Sequence, residues 1–499
     1  MVDGRIEHVF DELLADVAEL RRLDDAALID AITGWARKSA GADARKYAGI
    51  AELARRRCTE EQPNWACDDV DAAAAEVAAA LNMGHGRASG AMDMAVMLRD
   101  RFPRVGALFL AGDIDARRVW LLANRTYLVT DADAVAELDE AIAERITTWG
   151  PLSEYKLAQA IDVWVDKIDP GALRRTRNSA RTRDFTVADA DADGTAQVYG
   201  RLLGADAALL KQRVEAMARG VCADDPRTLA QRRADALGAL GAGAMVLSCA
   251  CENPDCPASV DDGRASSVVV HVIAEQASTQ AQPDPELHGE GLAPTDAPQP
   301  PVRAKAALIL GGGPIPAPLL AELIAGGAKV KLIANPSEHP EPRYRPSTAL
   351  DEFVRMRDLT CRAPGCDRPA TVADIDHTTP YPGGHTHPGG LKCYCRKHHL
   401  LKTFWAGWTD RQLPDGTVIV TTPTGHTHTT TPASSLFFPT WAITTPVPPD
   451  RPAAPPSDHR TMMMPTRKRS RTKARADRIK RERAHNDADV AERNKPPPF

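Results

Sequence analysis

Apolar residues recur at helical spacing through the first third of the chain. Ile6, Val9, Phe10, Leu13, Leu14, Val17 and Leu20 mark one face of a helix over residues 6–22. The same period continues over about 25–57, 69–82, 87–101, 114–124, 133–147 and 152–168. Interruptions fall at Gly84-His85-Gly86, Pro103, Gly112, Gly150-Pro151 and Pro170-Gly171. The pattern then shortens. Runs at 184–188 and 196–202 predict two strands joined by a tight turn through Asp189–Gly194. That turn opens like a calcium loop, but the twelfth position, which needs Glu, is Gly200. Helices at about 204–219 and 226–246 follow, then a buried strand over Ser267–Ile273. Residues 276–303 are rich in Pro, Gln, Asp and Gly and predict a linker, because they offer too little apolar surface to order themselves. Leu310 to Pro314 lacks the Lys and Ser/Thr of a phosphate loop, so it reads as a strand-to-helix turn into Ala317–Ile324. Val418–Thr421, just after Asp415-Gly416, predicts a hairpin.

At 499 residues the chain has room for about three domains, and 43% hydrophobic residues can fill their cores. No run of 18 apolar residues occurs, so no membrane span is expected. The first residues lack a basic stretch followed by an apolar one, so no signal peptide and a cytoplasmic setting are expected. The ten cysteines are clustered, which argues against a secreted disulfide scaffold. The net charge of -5 conceals a basic end: Arg467 to Arg483 holds ten Lys/Arg against Asp477 and Glu482. Such a run predicts a solvated, disordered tail able to touch DNA phosphates. Leu108 to Asp115, followed by Arg117 and Arg118, fits the turn of a helix-turn-helix and equally a plain helical hairpin.

The densest chemistry lies between Cys361 and Lys402. Cys361 with Cys366, and Cys395 with His398, form two short-spaced pairs of the kind that hold structural Zn²⁺. Cys393 is left over as a packing thiol. Asp376 offers a hard oxygen suited to Mg²⁺ or Mn²⁺. His377 titrates near neutrality and suits a general base. His399 follows His398, about 100° further round a helix, so the two can serve different ions. Arg396 and Lys402 are candidate phosphate contacts or plain helix-surface charge. Upstream, Cys249, Cys251 and Cys256 are candidate ligands of a second zinc, with Cys222 or His271 as the fourth, or else reduced thiols in a loop. His385, His387, His426 and His428, among Gly, Thr and Pro, read as exposed loop residues.

Residues 361–402 resemble an HNH nuclease of the ββα-metal type. The stretches from Tyr344 to Ser347, Arg357 to Pro369 and Cys395 to Trp405 closely resemble the mycobacterial thirteen-E-twelve repeat family. Its members carry an actinobacterial domain of unknown function ahead of the HNH unit, and the resemblance spans roughly residues 25–440. It implies that Asp376 and His399 hold the divalent ion, that His377 is the general base, and that Cys361, Cys366, Cys395 and His398 hold zinc. It also implies a link to a mobile element. The middle Asn of the motif does not carry over: Gly390 stands there, without a side chain to tie down the hairpin loop.

The expectation is therefore an α+β protein. A mainly helical region (1–180) precedes an α+β region (181–335, linker 276–303), a zinc-stabilised ββα-metal HNH domain (340–440) and a disordered Pro-rich and basic tail (441–499). The expected function is a metal-dependent DNA endonuclease. The alternatives are a catalytically weak or inactive zinc-stabilised DNA-binding protein, because of Gly390, and a protein–protein scaffold.

Overall fold

The computed structural model describes residues 15–59, 61–173, 183–191, 194–251, 253–260, 272–282, 307–310, 313–325, 327–337, 339–446 and 463–495. Seven helices fill the N-terminal third: α1 (Asp25–Arg57), α2 (Asp69–Ala80), α3 (His85–Asp100), α4 (Pro103–Ala111), α5 (Ala116–Arg125), α6 (Ala132–Ala143) and α7 (Glu154–Ile168). Short polar residues start most of them. Asp24, Asp68, Asp115, Asp131 and Ser153 each accept the backbone N–H three residues on. The sequence pattern missed α4. Pro103 reads as a break, yet it opens the helix, where its missing N–H costs nothing.

Phe102, Phe109, Leu122, Leu138, Ile142, Ile161 and Val165 are fully buried in the main core among α3 to α7. Each contributes about 1.5–3 kcal/mol of burial. A second core between α1, α2 and α3 is packed on small residues, including Ala51, Ala54, Ala73, Ala74, Ala88 and Ala95. α4 and α5 form the predicted hairpin. Gly112 ends α4 at φ +79°, where a Cβ would lie 2.4 Å from the Arg37 carbonyl oxygen. Of the α5 arginines, Arg125 pairs with Asp162 and Arg117 with Glu154 of α7.

The middle region carries an antiparallel pair, β1 (Asp184–Val187) with β2 (Val198–Arg201), then α8 (Gly204–Arg219) and α9 (Leu229–Gly241). A sheet in the order β3 (Val272–Ile273), β4 (Ala307–Ile309), β5 (Gly313–Ile315) precedes α10 (Ala317–Ala325). The glycine run therefore links two strands before the helix begins. Residues 276–280 of the expected linker form a 3-10 turn, and residues 283–303 lie outside the described residues. So do His271 and residues 6–14; of the helix expected over 6–22, Leu20–Arg22 is a single 3-10 turn.

The C-terminal unit runs α11 (Thr348–Asp358), β6 (Asp374–His377), β7 (Leu391–Tyr394) and α12 (Arg396–Phe404). A sheet in the order β10 (Thr427–Thr430), β9 (Val418–Thr421), β8 (Thr409–Gln412) and a short α13 (Ser434–Phe437) follow.

The tail departs from expectation. Residues 463–495 are ordered, and Arg471–Arg493 form α14. Basic composition leaves a segment solvated only when no acidic surface faces it. Here Arg467 and Arg471 meet Asp68 and Asp71, Arg483 meets Asp169, and Arg493 meets Asp166. Asn486 donates to the Gly171 and Leu173 carbonyls, and Ile479 enters the main core.

Candidate metal centre and hairpin-helix unit

β6 and β7 pair antiparallel, with Asp376 opposite Lys392 and His377 opposite Leu391. α12 begins one residue after Cys395, so hairpin and helix share one small frame. Arg357 on α11 fixes the connecting loop. It is fully buried, donates to the Pro388 and Leu391 carbonyls at 2.7 Å, and pairs with Asp358.

Cys361, Cys366, Cys395 and His398 bring their ligand atoms within 4.8 Å of one another, a donor set that fits a zinc ion. His398 Nδ1 lies 3.2 Å from the Cys395 Sγ and 3.5 Å from the Cys361 Sγ. Burial opposes charge on His398, but the neighbouring Cys366 and Cys395 thiols raise its pKa to about 9. Cys393 stays out of this set and packs in the α11 core, as a packing thiol should. The turn of the first pair depends on Gly365, which sits at φ +68°, with Met83 O 2.5 Å from where a Cβ would lie.

Asp376 and His399 come together: His399 Nε2 lies 3.4 Å from Asp376 Oδ1. His399 Nδ1 is held at 2.8 Å by Asp374, which also meets Arg396. Burial pushes the Asp376 carboxyl up, but Lys392 and Lys402 outweigh it and hold the pKa down. Lys392 is fully enclosed between Asp376 and Asp410, and its ammonium donates to Thr378. Lys402 donates to Asp376 Oδ2 at 2.5 Å and to the His377 and Thr378 carbonyls. Its three protons are thereby used inside the unit, so Lys402 is neither a free phosphate contact nor a plain surface charge here. Arg396 remains largely exposed at the N-terminus of α12.

His377 meets a different set of neighbours. Its Nε2 lies 3.0 Å from Thr386 Oγ1, and its ring stacks on Tyr344 with centroids 5.2 Å apart. Tyr344 is carried there by the 341–344 segment, where Glu341 bridges to Thr386. Burial lowers the His377 pKa to about 4. Of the loop histidines, His387 corrects the reading: it is buried and its Nδ1 accepts from the Gly389 N–H.

The sequence reading overlooked Asp374, Lys392, Asp410, Tyr344 and Thr386. For Asp374 a signal existed, since a residue two before Asp376 in a strand shares its face. The others come from pairings invisible in the local pattern.

The unit leans on the helical region. Trp405 Nε1 donates to the Cys67 carbonyl, and Leu400 and Leu401 pack with Cys67, Ala72, Ala75 and Met464. Asp71, 1% exposed, receives Lys397, Arg467, Arg471 and His85, and the His85 ring meets that of His398 edge-on.

Fold and site together define a mixed α+β protein whose C-terminal unit carries a Cys/His set fit for zinc. The chain belongs to the family described as Domain of unknown function (DUF222), whose model matches residues 35–358. That match ends just before Cys361, so Cys361, Cys366, Cys395 and His398 lie beyond it. The uncharacterized protein Rv2100 of Mycobacterium tuberculosis (strain ATCC 25618 / H37Rv) is 56% identical over 516 residues, covering 99% of this chain and 94% of its own. The uncharacterized protein Rv3776 of the same strain is 55% identical over 497 residues, covering 98% and 95%. An uncharacterized protein in the est 3'region of Mycobacterium tuberculosis is 54% identical over 351 residues, covering 69% of this chain and all of its own. No solved structure matches the chain significantly. Among the described residues, no helix is long and apolar enough to cross a membrane.

Proposed function

We propose that this protein is a metal-dependent DNA endonuclease of the HNH type, hydrolysing phosphodiester bonds at its C-terminal hairpin-helix unit. The observation that carries the reading is the corner formed by Asp376 Oδ1 and His399 Nε2, 3.4 Å apart, with Asp374 behind the imidazole. A carboxylate on the far nitrogen is the arrangement that orients a metal-ligating histidine. Asp376 and His399 would hold Mg²⁺ or Mn²⁺, which keep several waters and need few protein ligands. When bound, the ion supplies charge neutralisation at the phosphate and leaving oxygen. Cys361, Cys366, Cys395 and His398 would hold the bracing zinc.

His377 acts as the general base. Burial, which lowers its pKa to about 4, leaves the ring neutral at pH 7 but makes it a weaker base than the near-neutral imidazole expected from the sequence. Thr386 donates its hydroxyl to the Arg343 carbonyl, so His377 Nε2–H donates to Thr386. The lone pair then sits on Nδ1. Tyr344 holds the plane of the ring. Arg396, paired with Asp374 but largely exposed at the start of α12, would contact DNA phosphate.

Supercoiled plasmid with Mg²⁺ or Mn²⁺, with and without EDTA, tests the reading. Metal-dependent relaxation is expected, and His377→Ala should lose about 10²–10⁴-fold of it while keeping its zinc. Cleavage by the variant at the parent rate would remove His377 from the role. Gly390 favours a second reading, a zinc-stabilised DNA-binding protein with weak or no cleavage. Its carbonyl accepts the Thr378 N–H, but it has no side chain to reach further. A Cβ there would lie 3.3 Å from the His385 carbonyl, a fit that asks for a small shift. Gly390→Asn should raise cleavage strongly under the first reading. Plasmid binding without cleavage in both forms would leave the second.

A further inference from the structure

A second cluster of cysteines lies outside the hairpin-helix unit. Cys222 follows α8, and Cys249, Cys251 and Cys256 follow α9. Their four sulfurs all lie within 4.8 Å of one another. Cys222 Sγ and Cys249 Sγ are 3.4 Å apart. A disulfide needs about 2.05 Å. A tetrahedral ion with Zn–S bonds of about 2.3 Å spaces its sulfurs about 3.8 Å apart. The observed spacing is too long for the first and close to the second.

The backbone around the thiols is built rather than loose. The Cys249 N–H donates to the Ala258 carbonyl, the Cys256 N–H to Asn253, and the Ala250 N–H to Asp225. Arg227, buried and paired with Asp225 and Asp235, donates to the Ser248 carbonyl next to Cys249. Arg232 donates to the Asp225 carbonyl, and Arg213 to the Met245 carbonyl. Arg213 and Arg227 thus hold carbonyls of the segment that leads into Cys249, and Arg232 holds a carbonyl three residues after Cys222.

Packing gives an independent reason for a staple. The core of the α8–α9 hairpin rests on four buried residues, Met217, Ala236, Ala239 and Leu247. Leu209, Leu237, Met245 and Val246 remain exposed. A core this small, even with Val214, Val221, Leu240 and Ala244 packed against it, gains from a cross-link or a metal.

We infer that Cys222, Cys249, Cys251 and Cys256 form a structural zinc site that locks the segment after α9 onto the end of α8. Soft thiolates in a four-sulfur set select Zn²⁺ over Mg²⁺ or Mn²⁺. The site is separate from the proposed nuclease centre and stands whether or not the chain cuts DNA.

Metal analysis of the full chain, purified reduced and without chelator, is the test. The parent should carry about two zinc ions per chain. Cys251→Ser and Cys395→Ser should each carry about one, from different sites. Should Cys251→Ser fail to fold, X-ray absorption on the parent decides. Two sites give about 3.5 sulfurs per zinc on average, and the Cys361 site alone gives about three. One zinc per chain at about three sulfurs overturns the site. So does a Cys222–Cys249 disulfide in the intact mass.

Discussion

Asp71 joins three parts of the chain, so replacing it with Asn should loosen all three contacts together. Its side chain is 1% exposed and meets Arg467 at 2.6 Å, Lys397 at 2.8 Å, Arg471 at 2.9 Å and His85 at 3.2 Å. Removing one member of a buried ion pair costs about 3–5 kcal/mol, because the other charge is stranded. Here Lys397, Arg467 and Arg471 keep 37%, 29% and 41% of their side-chain surface. Water therefore screens part of each attraction, and Asn still accepts hydrogen bonds. About 2–3 kcal/mol remains. At 1.4 kcal/mol per tenfold, opening of the docked tail becomes about 30–140-fold more frequent. Hydrogen exchange read by mass spectrometry follows this segment by segment. Asp71→Asn should accelerate exchange in 463–495 and in α12, and leave α4 unchanged. If the tail of the variant keeps the protection of the parent, the carboxylate does not hold it and the electrostatic account fails.

The same carboxylate sets a pH dependence. Burial pushes the Asp71 pKa up, but His85, Lys397 and Arg471 outweigh it and hold it well below the usual carboxylate range. A folded value below the unfolded one stabilises the docked state above about pH 3.9, and that stabilisation is lost as the pH falls below it. Tail exchange, corrected for intrinsic rate, should be flat from about pH 7 to 5 and rise below about 4; a rise starting near 6 points to another group. Cys395→Ser should lose one zinc per chain and the exchange protection of residues 359–404, while α4 to α7 stay protected; full protection with one zinc fewer would make the ion dispensable. Arg357→Lys reaches fewer of the partners Pro388 O, Leu391 O and Asp358, so it strands a buried acceptor at about 1–3 kcal/mol. Urea unfolding midpoints measure that loss, and an unchanged midpoint would mean the loop closes without the guanidinium.

Where a segment carries its own signals, the sequence was sufficient. α1 spans 25–57 as read, with Asp24 as its cap, and α8 spans 204–219. The pairs Cys361/Cys366 and Cys395/His398 were legible because zinc ligands keep short spacings. What stayed hidden depends on distant partners. The acids that order α14 lie some three to four hundred positions earlier, so composition alone read the tail as solvated. Cys222, 27 residues before Cys249, stood only as one of two candidates for the fourth ligand, because that separation exceeds any motif spacing. Lys402 was readable as a phosphate contact or a surface charge, because nothing local reveals that Asp376 and the His377 and Thr378 carbonyls surround it. Pro103 was ambiguous in itself, since the same ring that stops a helix also suits its first position.

The contact of α12 with the helical body bears on how the small unit can be handled alone. Excised as a fragment from about residue 340 to 446, it would leave behind Cys67, Ala72, Ala75 and Met464, the cover of Leu400 and Leu401. The indole of Trp405 would lose its acceptor, and Lys397 its counter-charge. Such a fragment would present a bare oily face beside an unbalanced positive charge, a combination that favours clumping and indiscriminate adhesion to polyanions. Fragment studies of this region therefore need α2 retained, or that face rewritten with polar residues.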